Sequence, residues 1–94
     1  MHTLKRYMIE REIPGIGEMS VTELCGAARA SNQALADIGP EIQWQHSYVA
    51  GNKTFCVYLA SGEEAIRSQA EKSGIPFASI TEIPQIIDPL TANN

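Results

Sequence analysis

Two capping boxes, one two-residue hairpin signal and a strand-like run near either end predict an α+β domain with a four-stranded antiparallel sheet and two helices on one face. Lys5 to Arg11 alternates in the β manner and stops before Pro14-Gly15, residues suited to a turn. Ser20-Val21-Thr22-Glu23 is a capping box, in which the Ser20 hydroxyl accepts from the Glu23 amide while the Glu23 carboxylate reaches back. Val21, Leu24, Ala28, Leu35 and Ile38 then repeat at helical spacing until Gly39-Pro40, so the first helix has a narrow inner face of small residues.

Gly51-Asn52 lies between two runs rich in Val, Tyr, Phe and Thr, with Gly51 suited to the positive φ of a II′ turn. Ser61-Gly62-Glu63-Glu64 reads as a second capping box, with Ala65, Ile66 and Ala70 on one helical face and Gly74 as the αL terminator. Ala78 to Ile83 forms a last short strand, Pro84 interrupts it, and Ile86-Ile87 is expected to add an edge piece. The resulting order, β-α-β-β-α-β, is the ferredoxin-like split pattern.

Composition narrows the functional classes. The 94 residues, 44% of them apolar, suit one domain over 1–94, and a chain this short gains by oligomerising. A net charge of −4 without a basic cluster excludes a phosphate-tracking nucleic-acid surface. Cys25 and Cys56 fit neither a zinc spacing nor a redox pair, and MHTLKRYMIERE has no apolar leader core, so a reducing cytoplasm is expected. No apolar run approaches the roughly 18 residues of a membrane span.

The hairpin from Ile42 to Ala60 holds the sole tryptophan, one of two histidines and two of three tyrosines. Pairing Ala50 with Lys53 sets Val49 opposite Thr54, Ser47 opposite Cys56 and Gln45 opposite Tyr58, because antiparallel partners keep a constant sum. Trp44, His46, Tyr48, Phe55, Val57 and Leu59 then share the more apolar side, which is expected to face the helices. Gln43, Gln45, Ser47, Thr54, Cys56 and Tyr58 share the side left for a sheet-to-sheet homodimer. On this register Trp44, His46 and Tyr48 are the candidate ligand-binding residues, with His46 mostly buried, neutral and held by a hydroxyl, a carbonyl or a ligand.

The remaining reactive side chains carry less. His46 and Cys56 point to opposite faces, which disfavours a Cys/His catalytic pair, and no catalytic residue is assigned. Cys25 is expected to pack against the sheet. Glu10-Arg11-Glu12 reads as a solvated charge run, His2 as a residue able to join it at a metal, and Glu63, Glu64 and Glu71 as cap and surface charges.

Tyr7-Met8-Ile9-Glu10-Arg11, Ile13-Pro14-Gly15, Trp44, His46-Ser47-Tyr48-Val49, Lys53, Cys56-Val57-Tyr58, Glu64-Ala65-Ile66-Arg67 and Gly74-Ile75-Pro76 resemble the small nickel-binding family of ferredoxin-like proteins, across almost the whole chain. The resemblance implies the fold, a homodimer, Ni2+ at the surface and no known reaction, with His46 as the metal ligand. The chain departs from the pattern in helix two, where Ser68-Gln69-Ala70 replaces a Glu-His-Ala run, and an amide oxygen is a poorer nickel donor than imidazole. The expected function is therefore a dimeric metal- or ligand-binding protein. The competing reading is a cofactor-independent enzyme of monooxygenase, isomerase or cyclase type, a class that shares this fold without a shared chemistry.

Overall fold

The computed structural model describes residues 3–93, so His2 lies outside the described residues. The elements are β1 (Lys5–Glu12), a 3-10 turn (Ile16–Glu18), α1 (Val21–Ile38), β2 (Ile42–Ala50), β3 (Lys53–Ala60), α2 (Glu63–Ser73), β4 (Ser79–Glu82) and a second 3-10 turn (Pro89–Asn93). The sheet runs β2-β3-β1-β4 with antiparallel pairs throughout, which is the ferredoxin-like arrangement with both helices on one side. Ile86 and Ile87 do not extend β4; they are 62% and 81% exposed in the tail that follows it.

The helix termini follow local chemistry unevenly. At α1 both halves of the capping box form: the Glu23 amide donates to Ser20 Oγ at 3.2 Å and the Ser20 amide to Glu23 Oε1 at 3.0 Å. These bonds hold the Glu23 carboxyl below the usual carboxylate range. At α2 the cap is Gly62, with no side-chain bond, so the Ser61 box expected from sequence is absent. The Ser61 amide instead donates to the Glu41 carbonyl at 2.9 Å, which places Ser61 one residue too early. Gly74 ends α2 at φ 73°, in the left-handed region that a terminator requires.

The hairpin tip is clamped to the β1–α1 loop. Gly51 takes φ 61°, while Asn52 receives the Ile13 amide on its carbonyl at 2.7 Å and the Gly15 amide on Oδ1 at 3.0 Å. A Cβ at Gly17 would run into the Gly51 carbonyl oxygen, so glycine lets the 3-10 turn lie directly on the hairpin.

The core sits between helices and sheet. Tyr7 and Ile9 of β1, Ile42 of β2, Cys56, Tyr58 and Ala60 of β3, and Ala65 and Ile66 of α2 form its buried cluster. The sheet side facing the helices is thus the Cys56/Tyr58 side, opposite to the sequence expectation. Phe55, Val57 and Leu59 point to the open side, because Ile9 pairs with Cys56 and Tyr7 with Tyr58. The hairpin pairs Ala50 with Lys53, Val49 with Thr54 and Ser47 with Cys56 as expected, but a bulge between Trp44 and His46 sets Trp44, not Gln45, opposite Tyr58.

Ser20→Ala is expected to cost about 1 kcal/mol of unfolding free energy, the usual value of a lost N-cap. Ser61→Ala is expected to be close to neutral, since its hydroxyl caps nothing. Chemical denaturation of both variants checks the contrast.

Candidate functional site

Strand alternation carries a charged residue into the interior. Tyr7, Ile9 and Arg11 project to the same side of β1, and Arg11 ends up 3% exposed beneath the helices. Its Nη2 donates to Gln69 Oε1 of α2 at 2.9 Å and its Nη1 to Cys56 Sγ at 3.6 Å, while Cys56 in turn contacts Thr54 Oγ1 at 3.6 Å. The guanidinium carbon stands 6.0 Å from the centre of the Tyr58 ring. Arg11 Nε and Gln69 Nε2 are buried without a hydrogen-bond partner. Among the described residues, the ion pairs formed are Lys53 with Glu10 and Arg67 with Glu63, and neither involves Arg11. Burial pushes the Tyr58 phenol above its ordinary range, opposed by the hydrogen bond and positive charge of Arg11, so Tyr58 stays a neutral donor.

Arg11 and Tyr58 line a cleft of about 260 Å³ between α1 and the sheet. Leu24, Ala28 and Ile16 supply apolar walls, and Ser31, Ser47 and Thr54 supply hydroxyls. Trp44 closes one side, its Nε1 donating to Ser47 Oγ at 2.9 Å. The bulge makes this bond possible, because the extra residue lets positions 44 and 47 face the same way. The half-buried Trp44 is thus the candidate residue that occupies the helix–sheet cleft.

His46 and Tyr48 lie on the other side of the sheet. Both are exposed; their rings meet edge-on at 5.1 Å and His46 Nε2 shares a hydrogen bond of 3.2 Å with the Tyr48 hydroxyl. The hydroxyl partner expected for His46 is present, whereas its burial is not. With Arg6, Met8, Val57 and Ile86 they border a depression of about 430 Å³ on the open face. The sheet therefore separates Trp44 from His46 and Tyr48, and these three do not form one cleft. It equally separates His46 from Gln69, which is fully buried against Arg11.

The fit to a metal can be read from donors. Among the described residues no group of three or more His, Cys, Asp or Glu side chains could hold a metal ion. The described residues thus offer His46 as an isolated imidazole, too few donors for nickel. Cys25 is exposed, not packed against the sheet, and Cys56 is buried on the face opposite His46, so Cys56 and His46 do not form a thiol–imidazole pair. Glu10 pairs with Lys53 at 3.1 Å at the surface, but Arg11 of the same run is an interior residue. The signal for it was the period-two alternation Tyr7, Ile9, Arg11.

The raised phenol gives a pH signature. A group whose folded pKa exceeds its unfolded value stabilises fully below the ordinary phenol range and loses that contribution as pH rises through the folded value. Absorbance titration is expected to show a tyrosine ionising above the ordinary range in the native protein and to lose that step in Tyr58→Phe.

Comparison with known proteins places this geometry in a family. No curated protein matches the chain. The crystal structure of SCO4226 from Streptomyces coelicolor A3(2) is similar with a TM-score of 0.72 at 18% identity, over 87% of this chain and 99% of that one, a likeness of fold. The family described as nickel responsive protein SCO4226-like matches residues 7–83. A match of that extent takes in both α-helices, three of the four strands whole and all but the first two residues of β1, and the chain belongs to the SCO4226-like nickel responsive protein family.

Proposed function

We propose that the chain works as a homodimeric binding protein that holds a small ligand in the helix–sheet cleft. The observation that carries this reading is the cleft itself, an apolar chamber with a buried guanidinium and a neutral phenol in its lining. Nothing in the lining pairs a nucleophile with a base, which favours binding over turnover. The dimer joins over the open face, where Met8, Phe55, Val57 and Leu59 alternate with Arg6, Lys53, Glu10 and Glu12. This mixture of apolar and oppositely charged groups is self-complementary under two-fold symmetry.

A second reading concerns nickel and is supported by the family description together with the exposure of His46. His46 becomes part of a site when a second copy contributes its own His46, and a dimer over the open face brings the two together. Cytoplasmic residence, expected from the unpaired cysteines, belongs to the same proposal. No helix among the described residues is long and apolar enough to cross a membrane.

Native mass spectrometry of protein purified without an affinity tag is expected to give about twice the 10.3 kDa chain mass and a retained small-molecule adduct. Phe55→Glu is expected to yield monomer, because a like-charged pair at the seam repels itself. Monomer mass at micromolar concentration for the parent protein would count against the dimer.

Calorimetric titration with Ni2+ separates the second reading from the first. His46→Ala is expected to lower whatever nickel affinity the dimer has at least tenfold. Gln69→His is expected to leave it unchanged, because position 69 lies across the sheet beside a guanidinium. A rise in affinity with Gln69→His would move the metal to the helix side.

A further inference from the structure

From the side chains that face the cleft we infer that its ligand is a small organic anion, a carboxylate with an apolar body, whose charged head meets Arg11. The inference rests on the cleft being the ligand site. A buried cation is ordinarily matched by a carboxylate or another anion. Arg11 is 3% exposed, yet among the described residues it forms no ion pair, and its neighbours Gln69, Cys56 and Tyr58 are all formally neutral contacts. No Asp or Glu lines the cleft, although the chain as a whole carries a charge of −4. The negative charge that would match Arg11 is therefore missing from the protein's own side of the cleft.

Shape and polarity set the rest of the ligand. Arg11 retains a buried Nε–H with no partner, and Tyr58, Thr54 and Ser31, each bearing a neutral hydroxyl, are among the lining residues. Away from these groups the walls are Leu24, Ala28 and Ile16, which solvate a hydrocarbon body and not a second charge. The volume of about 260 Å³ lies just below the roughly 300–1,000 Å³ of typical ligand pockets, so the body is short. A free divalent cation is the wrong sign for this chamber. A polyanion such as a nucleotide would leave charges against apolar walls.

Hexanoate, hexanamide and hexylamine share one body and differ in head charge, so they test the sign directly. Trp44, the sole tryptophan and a wall of the cleft, reports binding by its fluorescence, and the melting temperature reports it independently. Hexanoate is expected to change both at millimolar concentration and to bind at least tenfold more tightly than either analogue. Arg11→Met, which keeps a linear side chain without charge, is expected to abolish that preference. Ala28→Phe leaves Arg11 and the single-tryptophan signal in place and fills the chamber, so it is expected to abolish hexanoate binding even if Arg11→Met does not fold. Equal binding of hexanoate and hexanamide, blocked by Ala28→Phe, would overturn the anion inference while leaving the cleft as a ligand site. Hexanoate binding unaffected by Ala28→Phe would overturn both. No response to hexanoate up to its solubility would overturn the anion inference.

Discussion

The hydrogen bond from Arg11 to Gln69 is the constraint around which the interior is arranged. It spans 2.9 Å between the second-to-last residue of β1 and the second turn of α2, and it lies out of solvent. Removing a guanidinium from water costs several kcal/mol even after relaxation, and a neutral amide oxygen returns part of that. The neighbours work in the same direction. Cys56 offers a polarisable sulfur, Thr54 supports that sulfur, and the Tyr58 ring presents its face. These groups are also what distinguishes the cleft from an ordinary apolar gap between helix and sheet. The residues that make Arg11 tolerable inside are the ones that give the cleft a chemical character.

The bulge in β2 is the second device. Without it, constant registry would alternate Trp44, His46 and Tyr48 on one side of the sheet. One additional residue moves Trp44 to the helix side while leaving His46 and Tyr48 outside, and it sets the indole beside Ser47. The clamp of Asn52 on Ile13 and Gly15 fixes the far end of the same hairpin, and Ile13 and Ile16 of the clamped loop stand at the cleft. Bulge and clamp together determine how wide the space under α1 is.

Signals complete within four or five residues were legible in the sequence. The Ser20 box, the Gly51 turn and the Gly74 terminator each depend on local backbone needs, and each is present. The Ser61 box satisfied the same pattern but does not form, because the Ser61 amide continues the β2–β3 ladder with a bond to the Glu41 carbonyl, next to the Ile42–Ala60 pair. The sheet faces were misjudged for a related reason. Hydrophobic count favoured Phe55, Val57 and Leu59 as the inner set, yet the helices present alanines and Gln69, against which Cys56, Tyr58 and Arg11 fit. An open face rich in Met8, Phe55 and Leu59 imitates a core. Only the pairing of β1 with β3, a long-range register, decides between the sides. Arg11 was visible as the third member of an inward alternation but was outweighed by its charged neighbours Glu10 and Glu12.

The inverted faces also change what residue 69 means. As a substitute for a metal-binding histidine, Gln69 would be a loss of function, measured against a ligand set that includes His46. In place, its carbonyl oxygen accepts from a cation, a role imidazole fills only through an unprotonated nitrogen and one that no metal-bound imidazole can share. His46, on the exposed side, is untouched by that choice. An association over the open face would enclose His46 and leave the cleft accessible, since the sheet stands between them. Metal and organic ligand are then not alternatives competing for one set of residues, and evidence for either on its own side of the sheet leaves the other to be decided separately.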